Sequence, residues 1–533
     1  MAHRTADLPL IIQGGMGVAI SDWRLARAVS SRGQLGVVSG TGLVPLLIAR
    51  LVQGDPGGHV RRALRAFPCG DTARRILERY PASEDVRPVQ PRLPLWTPDP
   101  PRELEELGAV AAFVEVWLAR EGHGGAVGIN LLEKIQMPLM ATLYGAMLAG
   151  VDVVIVGAGI PTQVPAILDT FCRHLPARYR LDLHGTGDDR ELTIEFDPRR
   201  VFPGIAEHVG SLRRPRFLPI VASVVLAKAM LRRAPGGVQG FVVEGPVAGG
   251  HNAPPRGSLT LDEQGEPVYG PRDEVDLAAM ARLGLPFWLA GGYDTAEALR
   301  RALDAGAAGI QMGTAFAFCE ESGMDPRIRR QVLEAVLAGT IRVRTDPVVS
   351  PTGFPFKVAE VAGTLSESGV HSVRQRVCDL GMLRQAHRLP DGRFVWRCSA
   401  EPVETFVAKG GRREDAEPAV CLCNALAATA GFPQVRPGGI LEPAIVTSGD
   451  GLPRLTRFLQ DGRTTYTVQD VLDAILQESS WPVAPTASRR RTPVPPAAES
   501  LQNPGSAASS SAPGSPPSPF RPRTRSTAAS STE

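Results

Sequence analysis

Short, nearly continuous apolar runs recur along the first 345 residues, each followed by an amphipathic stretch. The runs are Leu10–Gln13, Leu35–Ser39, Ala126–Asn130, Asp152–Val156, Leu218–Ala222, Gly240–Val243, Phe287–Ala290 and Gly309–Met312. They are rich in Val and Ile and show no alternation with polar positions. Strands of this kind are covered on both faces, as in a parallel sheet flanked by helices. Helical spacing of apolar positions marks Asp22–Ser31, Pro138–Leu148, Val224–Arg232, Asp276–Arg282 and Thr295–Ala305, and Gln331–Ala338 follows the last run. Eight strands interleaved with helices predict an α/β fold, a (β/α)8 TIM barrel. A doubly wound sheet is the main alternative. Against it, no Gly-x-Gly-x-x-Gly turn with an acidic residue about twenty positions on follows the first strand.

Two insertions interrupt the rhythm. Residues 43–122 include helical segments at Val60–Arg65, Asp71–Tyr80 and Glu103–Arg120, and residues 171–216 include an alternating, strand-like piece at Glu191–Phe196. The barrel is therefore expected over residues 1–345. A C-terminal region, 346–480, is expected to be mostly helical (Ala419–Ala430, Val468–Glu478) and to pack on it. From about 481 the chain is Pro, Ser, Ala, Thr and Arg with hardly a large apolar residue. Such chain cannot offset its ordering entropy, which predicts a disordered tail.

Composition sharpens this picture only a little. The 533 residues exceed one compact domain, and 43% hydrophobic content excludes wholesale disorder. A net charge of +3, from 58 basic and 55 acidic residues, gives no global field toward nucleic acid or membrane. No stretch has the length and apolarity of a membrane span, and the N-terminus lacks the flanks of a signal peptide. Seven cysteines, an odd number, without a signal suggest reduced thiols and a cytoplasmic location.

In such a barrel the chemistry sits at the C-terminal ends of the strands. Those ends read Gln13-Gly14-Gly15-Met16-Gly17, Gly128-Ile129-Asn130, Gly157-Ala158-Gly159-Ile160-Pro161, Ala222-Ser223, Glu244-Gly245-Pro246-Val247-Ala248-Gly249-Gly250-His251-Asn252, Gly291-Gly292 and Gly313-Thr314. Turns after strands favour glycine in any case, but the last two pairs fall where these barrels bind phosphate through backbone N–H groups. Gly291, Gly292, Gly313 and Thr314 are the phosphate candidates. Asn130, Ser223 and Gln13 are polar groups at the mouths of apolar strands. Each could face the edge of a planar heterocycle, while Asn130 and Ser223 could equally cap a local turn. Of nine histidines, His251 alone lies at a predicted strand end, on a glycine-hinged loop, and its ordinary pKa suits a general acid or base.

These strand ends, together with Leu289-Ala290 and Gln311-Met312-Gly313-Thr314-Ala315-Phe316, appear in barrel order. Over roughly residues 8–357 the chain resembles the nitronate monooxygenase family, formerly called 2-nitropropane dioxygenases. It looks like a longer bacterial subgroup of it, related to the flavin-dependent enoyl reductases of fatty acid synthesis. The resemblance implies an FMN-binding barrel, with phosphate at Gly291, Gly292, Gly313 and Thr314 and the isoalloxazine near Gly15, Met16, Asn130 and Ser223. Gly249 and Gly250 are also assigned to the cofactor, and His251 is the catalytic histidine. The implied reaction oxidises alkyl nitronates with O2 to carbonyl compounds and nitrite. The alternatives are an enoyl-thioester reductase using NAD(P)H and a non-catalytic barrel scaffold. Expected partners are a small-molecule substrate, O2 and a second copy of the chain, with neither nucleic acid nor membrane. The chain departs from compact members in the 43–122 insertion, the Asn252-Ala253-Pro254-Pro255-Arg256-Gly257 run and the longer C-terminal region, which bear on the substrate.

Three further features lie outside that motif set. Cys378, Cys398, Cys421 and Cys423 fall in one region and could ligate zinc or an iron–sulfur cluster. Their spacing lacks Cys-x-x-Cys knuckles, so buried free thiols are the favoured reading and no metal ligand is assigned. Lys357, after Phe354 and Phe356, is read as a surface lysine beside a packed loop, with reach toward the pocket as the alternative. Arg489-Arg490-Arg491 reads as a solvated charge run.

Overall fold

A computed structural model describes residues 9–83, 93–185 and 191–476. Eight strands close a parallel barrel: β1 (Ile11–Gln13), β2 (Leu35–Ser39), β3 (Val127–Leu132), β4 (Val153–Gly157), β5 (Arg216–Val221), β6 (Phe241–Glu244), β7 (Phe287–Ala290) and β8 (Gly309–Met312). Closure is explicit at β1, where Ile12 pairs with Leu35 of β2 on one side and Gln311 of β8 on the other. A doubly wound open sheet is thereby excluded. Each expected strand is present within two residues at either end.

The physical reason is two-sided burial. Alternate positions Ile12, Leu35, Val37, Val153, Ile155, Leu218, Val242 and Trp288 form one apolar cluster. Their neighbours Ile11, Val38, Val154, Phe217, Phe241 and Leu289 belong to the other, larger cluster. The first set fills the barrel interior and the second faces the helices, so the strands are apolar on both faces over most of their length.

Helix starts follow local chemistry. Asp22 caps Trp23–Ser30, accepting from the N–H groups of Arg24 and Leu25, and Thr295 caps Ala296–Asp304 through the Ala298 N–H. The stretch read as the first insertion needs correction. Its opening, Leu43–Val52, is the barrel helix after β2, and Arg102–Arg120 packs along Leu139–Leu148 before β3. Leu43–Val52 is apolar almost all round, so it shows no helical stripe to read. The second insertion pairs Ala177–Arg180 with Thr193–Phe196 in antiparallel register.

The C-terminal region keeps the expected helices as Leu422–Thr429 and Val468–Leu476, but "mostly helical" does not describe it. Val343–Asp346 pairs with Phe356–Ala359, and Gln385–Arg388 pairs with both Phe394–Arg397 and Leu183–Gly185. The first of these ladders straddles residue 345, so no domain boundary falls there, and the described residues form one compact unit. The expected tail, with Arg489-Arg490-Arg491, lies outside the described residues. Among the described residues no helix is long and apolar enough to cross a membrane.

Candidate functional site

A cavity of about 230 Å³ opens at the C-terminal ends of the strands. Residues 14–17, 130–132, 247–251, 290–294 and 311–315 line it, as do Glu244 and the C-terminal residues 447–449. Gly15, Met16, Asn130, Gly249, Gly250, His251, Gly291, Gly292, Gly313 and Thr314 are therefore brought together at one cavity.

Ser223 and Gln13 are not among its lining residues. The Ser223 hydroxyl accepts the Leu226 N–H at 3.1 Å and caps the helix Val224–Arg233, the alternative role open to it from position alone. The Gln13 amide joins β1 to β2: its Oε1 accepts from the Val37 N–H at 3.0 Å and its Nε2 donates to the Val37 carbonyl at 3.2 Å.

Backbone shapes the end of the cavity formed by the loops after β7 and β8. Gly291 and Gly292 hold φ of +89° and +76°, in the left-handed region that suits glycine, and a Cβ on Gly291 would lie 3.1 Å from the Ala248 nitrogen. The loop 447–449 closes over the loops after β6 and β8. Thr447 Oγ1 accepts the Gly250 N–H at 3.0 Å, and the Gly449 N–H donates to Thr314 Oγ1 at 2.9 Å. A Cβ on Gly249 would sit 2.7 Å from the Gly449 nitrogen, so glycine there permits this contact.

At the other end, Asn130 Nδ2 donates to the Gly15 carbonyl at 3.3 Å. Asn130 Oδ1 and Gln311 Oε1 are buried and have no hydrogen-bond partner. Two unpartnered acceptors on the cavity wall suit a planar ring that presents N–H groups.

His251 is held rather than free. Its Nε2 is 2.7 Å from Ser350 Oγ, which is 2.8 Å from Thr352 Oγ1, and its ring meets Phe356 edge-on at 4.8 Å. Burial pushes its pKa down to about 4, so the imidazole is neutral near pH 7. Glu244, at the end of β6, lines the cavity, and burial raises its pKa to about 8. It is a carboxylic acid near neutral pH. An acidic residue ending an apolar strand is the sequence signal that marks Glu244.

Lys357 is not a surface lysine. It is 4% exposed, its Nζ donates to Thr345 Oγ1 at 2.7 Å, and it pairs with Asp450 at 2.7 Å. Its backbone N–H donates to the Gly250 carbonyl, which ties it to the loop that carries His251. Ser350 and the loop 447–449 join the site from far along the chain. They lie about 100 and 200 residues from the loop they contact, and no local pattern marks them.

Residues 196–347 match the family model described as nitronate monooxygenase. Over 142 residues the chain is 33% identical to a nitronate monooxygenase of Pseudomonas aeruginosa, covering 25% of this chain and 38% of that protein. Over 182 residues it is 29% identical to (3aS,4S,5R,7aS)-5-hydroxy-7a-methyl-1-oxo-octahydro-1H-indene-4-carboxyl-CoA dehydrogenase of Mycobacterium tuberculosis, covering 34% of this chain and 47% of that one. The chain thus spans less than half the length of these curated relatives. The matched segment runs from before β5 through β8 and holds Glu244, His251, Gly291, Gly292 and Gly313, so over this part of the barrel the chain is similar to the nitronate monooxygenase family.

Proposed function

We propose that this protein is an FMN-dependent nitronate monooxygenase that oxidises alkyl nitronates with O2 to carbonyl compounds and nitrite. The observation that carries the reading is the cavity shared by His251, two unpartnered side-chain carbonyls and a glycine cup. FMN fits these residues: Asn130 Oδ1 and Gln311 Oε1 can accept from ring N–H groups, and the backbone at 291–292 and 313–314 suits its phosphate. When bound, the flavin supplies the redox chemistry.

The chain's own residues do the rest. Neutral His251, steadied by Ser350, can accept the α-proton of a nitroalkane or orient its anion. Protonated Glu244 can donate a hydrogen bond to a nitro oxygen. Ile220, Val247, Met324 and Phe356 give the cavity apolar walls that exclude water and accept an alkyl chain.

The purified protein should carry FMN by its visible spectrum and consume O2 when given a nitronate. His251→Ala should keep the flavin and lower the rate by about 10²–10⁴-fold, the usual worth of a positioned acid or base. Absence of flavin would favour a non-catalytic scaffold, and full activity in His251→Ala would remove the assigned role.

A second reading, an FMN-dependent reductase of enoyl thioesters, is favoured by the similarity to a protein named as a carboxyl-CoA dehydrogenase. Rapid mixing separates the two. Flavin bleaching by NADH or NADPH supports the reductase, and bleaching by nitronate alone supports the monooxygenase.

A further inference from the structure

The glycine cup at Gly291, Gly292, Gly313 and Thr314 offers an anion backbone dipoles but no net charge. Charge at the cavity comes from elsewhere. Asp294 follows the cup's second glycine by two residues, and Arg454 lies in the short 3-10 segment Leu452–Phe458 of the C-terminal region. Both line the cavity, and among the described residues Arg454 is the only lysine or arginine that does. Its Nη2 donates to the two carboxylate oxygens of Asp294 at 3.0 and 3.1 Å.

Asp294 is shared, so it does not neutralise Arg454. Arg457 donates through Nη2 to the Asp294 carbonyl, stands 3.5 Å from Oδ2 and lies over the Phe458 ring at 4.6 Å. Two guanidiniums against one carboxylate leave a net charge of +1 on the three groups. Arg457 is mostly buried and away from the cavity, whereas Arg454 is half-exposed. Among the described residues the Nε and Nη1 groups of Arg454 donate to no partner. The surplus cation, with unengaged donors, is therefore the one at the cavity.

A second, independent observation is how the chain before Arg454 is fixed. The Gly449 N–H donates to Thr314 Oγ1 of the cup at 2.9 Å, and the Asp450 N–H donates to the Val247 carbonyl at 3.2 Å. The Asp450 carboxylate pairs with Lys357 at 2.7 Å, which leaves it engaged away from Arg454. Gly451 has φ −74°, which any residue adopts, so its use is steric: a Cβ there would lie 2.9 Å from both Arg454 Nη2 and Asp294 Oδ2.

We propose, on the FMN assignment above, that Arg454 binds the terminal phosphate of the flavin, so that the C-terminal region makes the site selective for the phosphorylated cofactor. The guanidinium adds a charge-assisted contact to a cup that is otherwise neutral. Asp294 holds the side chain at the cavity, and Arg457 holds Asp294.

Flavin fluorescence titration of the full-length chain with FMN and with riboflavin, which lacks the phosphate, tests this. The unaltered chain should prefer FMN. Arg454→Gln should weaken FMN by about 10- to 100-fold and leave riboflavin unchanged, and Arg454→Lys should restore part of the preference. On the unaltered chain, FMN but not riboflavin should protect Arg454 from modification by phenylglyoxal, read by mass spectrometry, a measurement that needs no variant to fold. An undiminished preference for FMN in Arg454→Gln would overturn the proposal and leave the FMN assignment standing. Equal weakening of both flavins in a variant that folds, or equal modification of Arg454 with and without FMN, would do the same. Failure of the unaltered chain to bind either flavin would remove both.

Discussion

The barrel wall and the C-terminal region are held together by different means. The wall distributes its stability over many apolar contacts, with the interior layer from Ile12 to Trp288 almost inaccessible to solvent. Each contact is small, and their sum follows the area removed from water. The C-terminal region has short ladders and long irregular stretches. At its centre Glu442 pairs with Arg374 and with Arg436 at 2.5 Å each, and Arg436 pairs with Asp379 at 2.7 Å. Removing one partner from a buried ionic network leaves an uncompensated charge, whereas trimming one side chain from an apolar layer leaves only a small void.

The contrast is broken or sharpened first by Glu442→Ala, which should destabilise by about 3–5 kcal/mol because buried Arg374 loses its carboxylate partner and Arg436 loses one of its two. Ile155→Val, in the interior layer, should cost only about 0.5–1.5 kcal/mol. Chemical denaturation of both variants measures the difference, and equal losses would dissolve the comparison.

A smaller effect is expected at the cavity. Gly291→Ala places a Cβ at φ +89°, a conformation that costs an L-residue roughly 1–2 kcal/mol, and crowds the Ala248 nitrogen. FMN affinity should fall about tenfold for each 1.4 kcal/mol the bound geometry loses, read by flavin fluorescence titration. Unchanged affinity would move the phosphate elsewhere.

The smallest effect at neutral pH is that of Glu244→Gln. The acid form of Glu244 predominates below about pH 8, so a step that uses its proton should decline as pH rises through about 8. Gln is neutral at every pH and should abolish that alkaline limb while changing the rate near pH 7 little. Stability carries the same sign. A carboxyl whose folded pKa is raised favours the fold below the ordinary carboxylate range, and that contribution is lost as pH rises through about 8. A limb that persists in Glu244→Gln would assign it to another group.

Legibility followed locality. The eight strands, and the place of His251 at a strand end beside the cavity, could be read because each depends on a few adjacent residues: an apolar run, then a glycine-rich end. Ser223 and Gln13 show the limit of that reading. A polar residue at a strand mouth looks the same in sequence whether it faces a ligand, caps a helix or joins two strands, and here the latter two apply. Lys357 fails for a related reason, since its burial depends on Thr345 and on Asp450, 93 positions later.

By itself the sequence determined the barrel, its order and the glycine-rich mouth, since hydrophobic periodicity and turn chemistry act over a few residues. Only the tertiary structure decided what closes over that mouth and what the leftover polar groups do. Ser350 on His251, the 447–449 loop on Gly250 and Thr314, and the pairing of Arg374 with Glu442 are contacts between distant segments. Their energies come from burial and desolvation, which exist only once the chain has enclosed them.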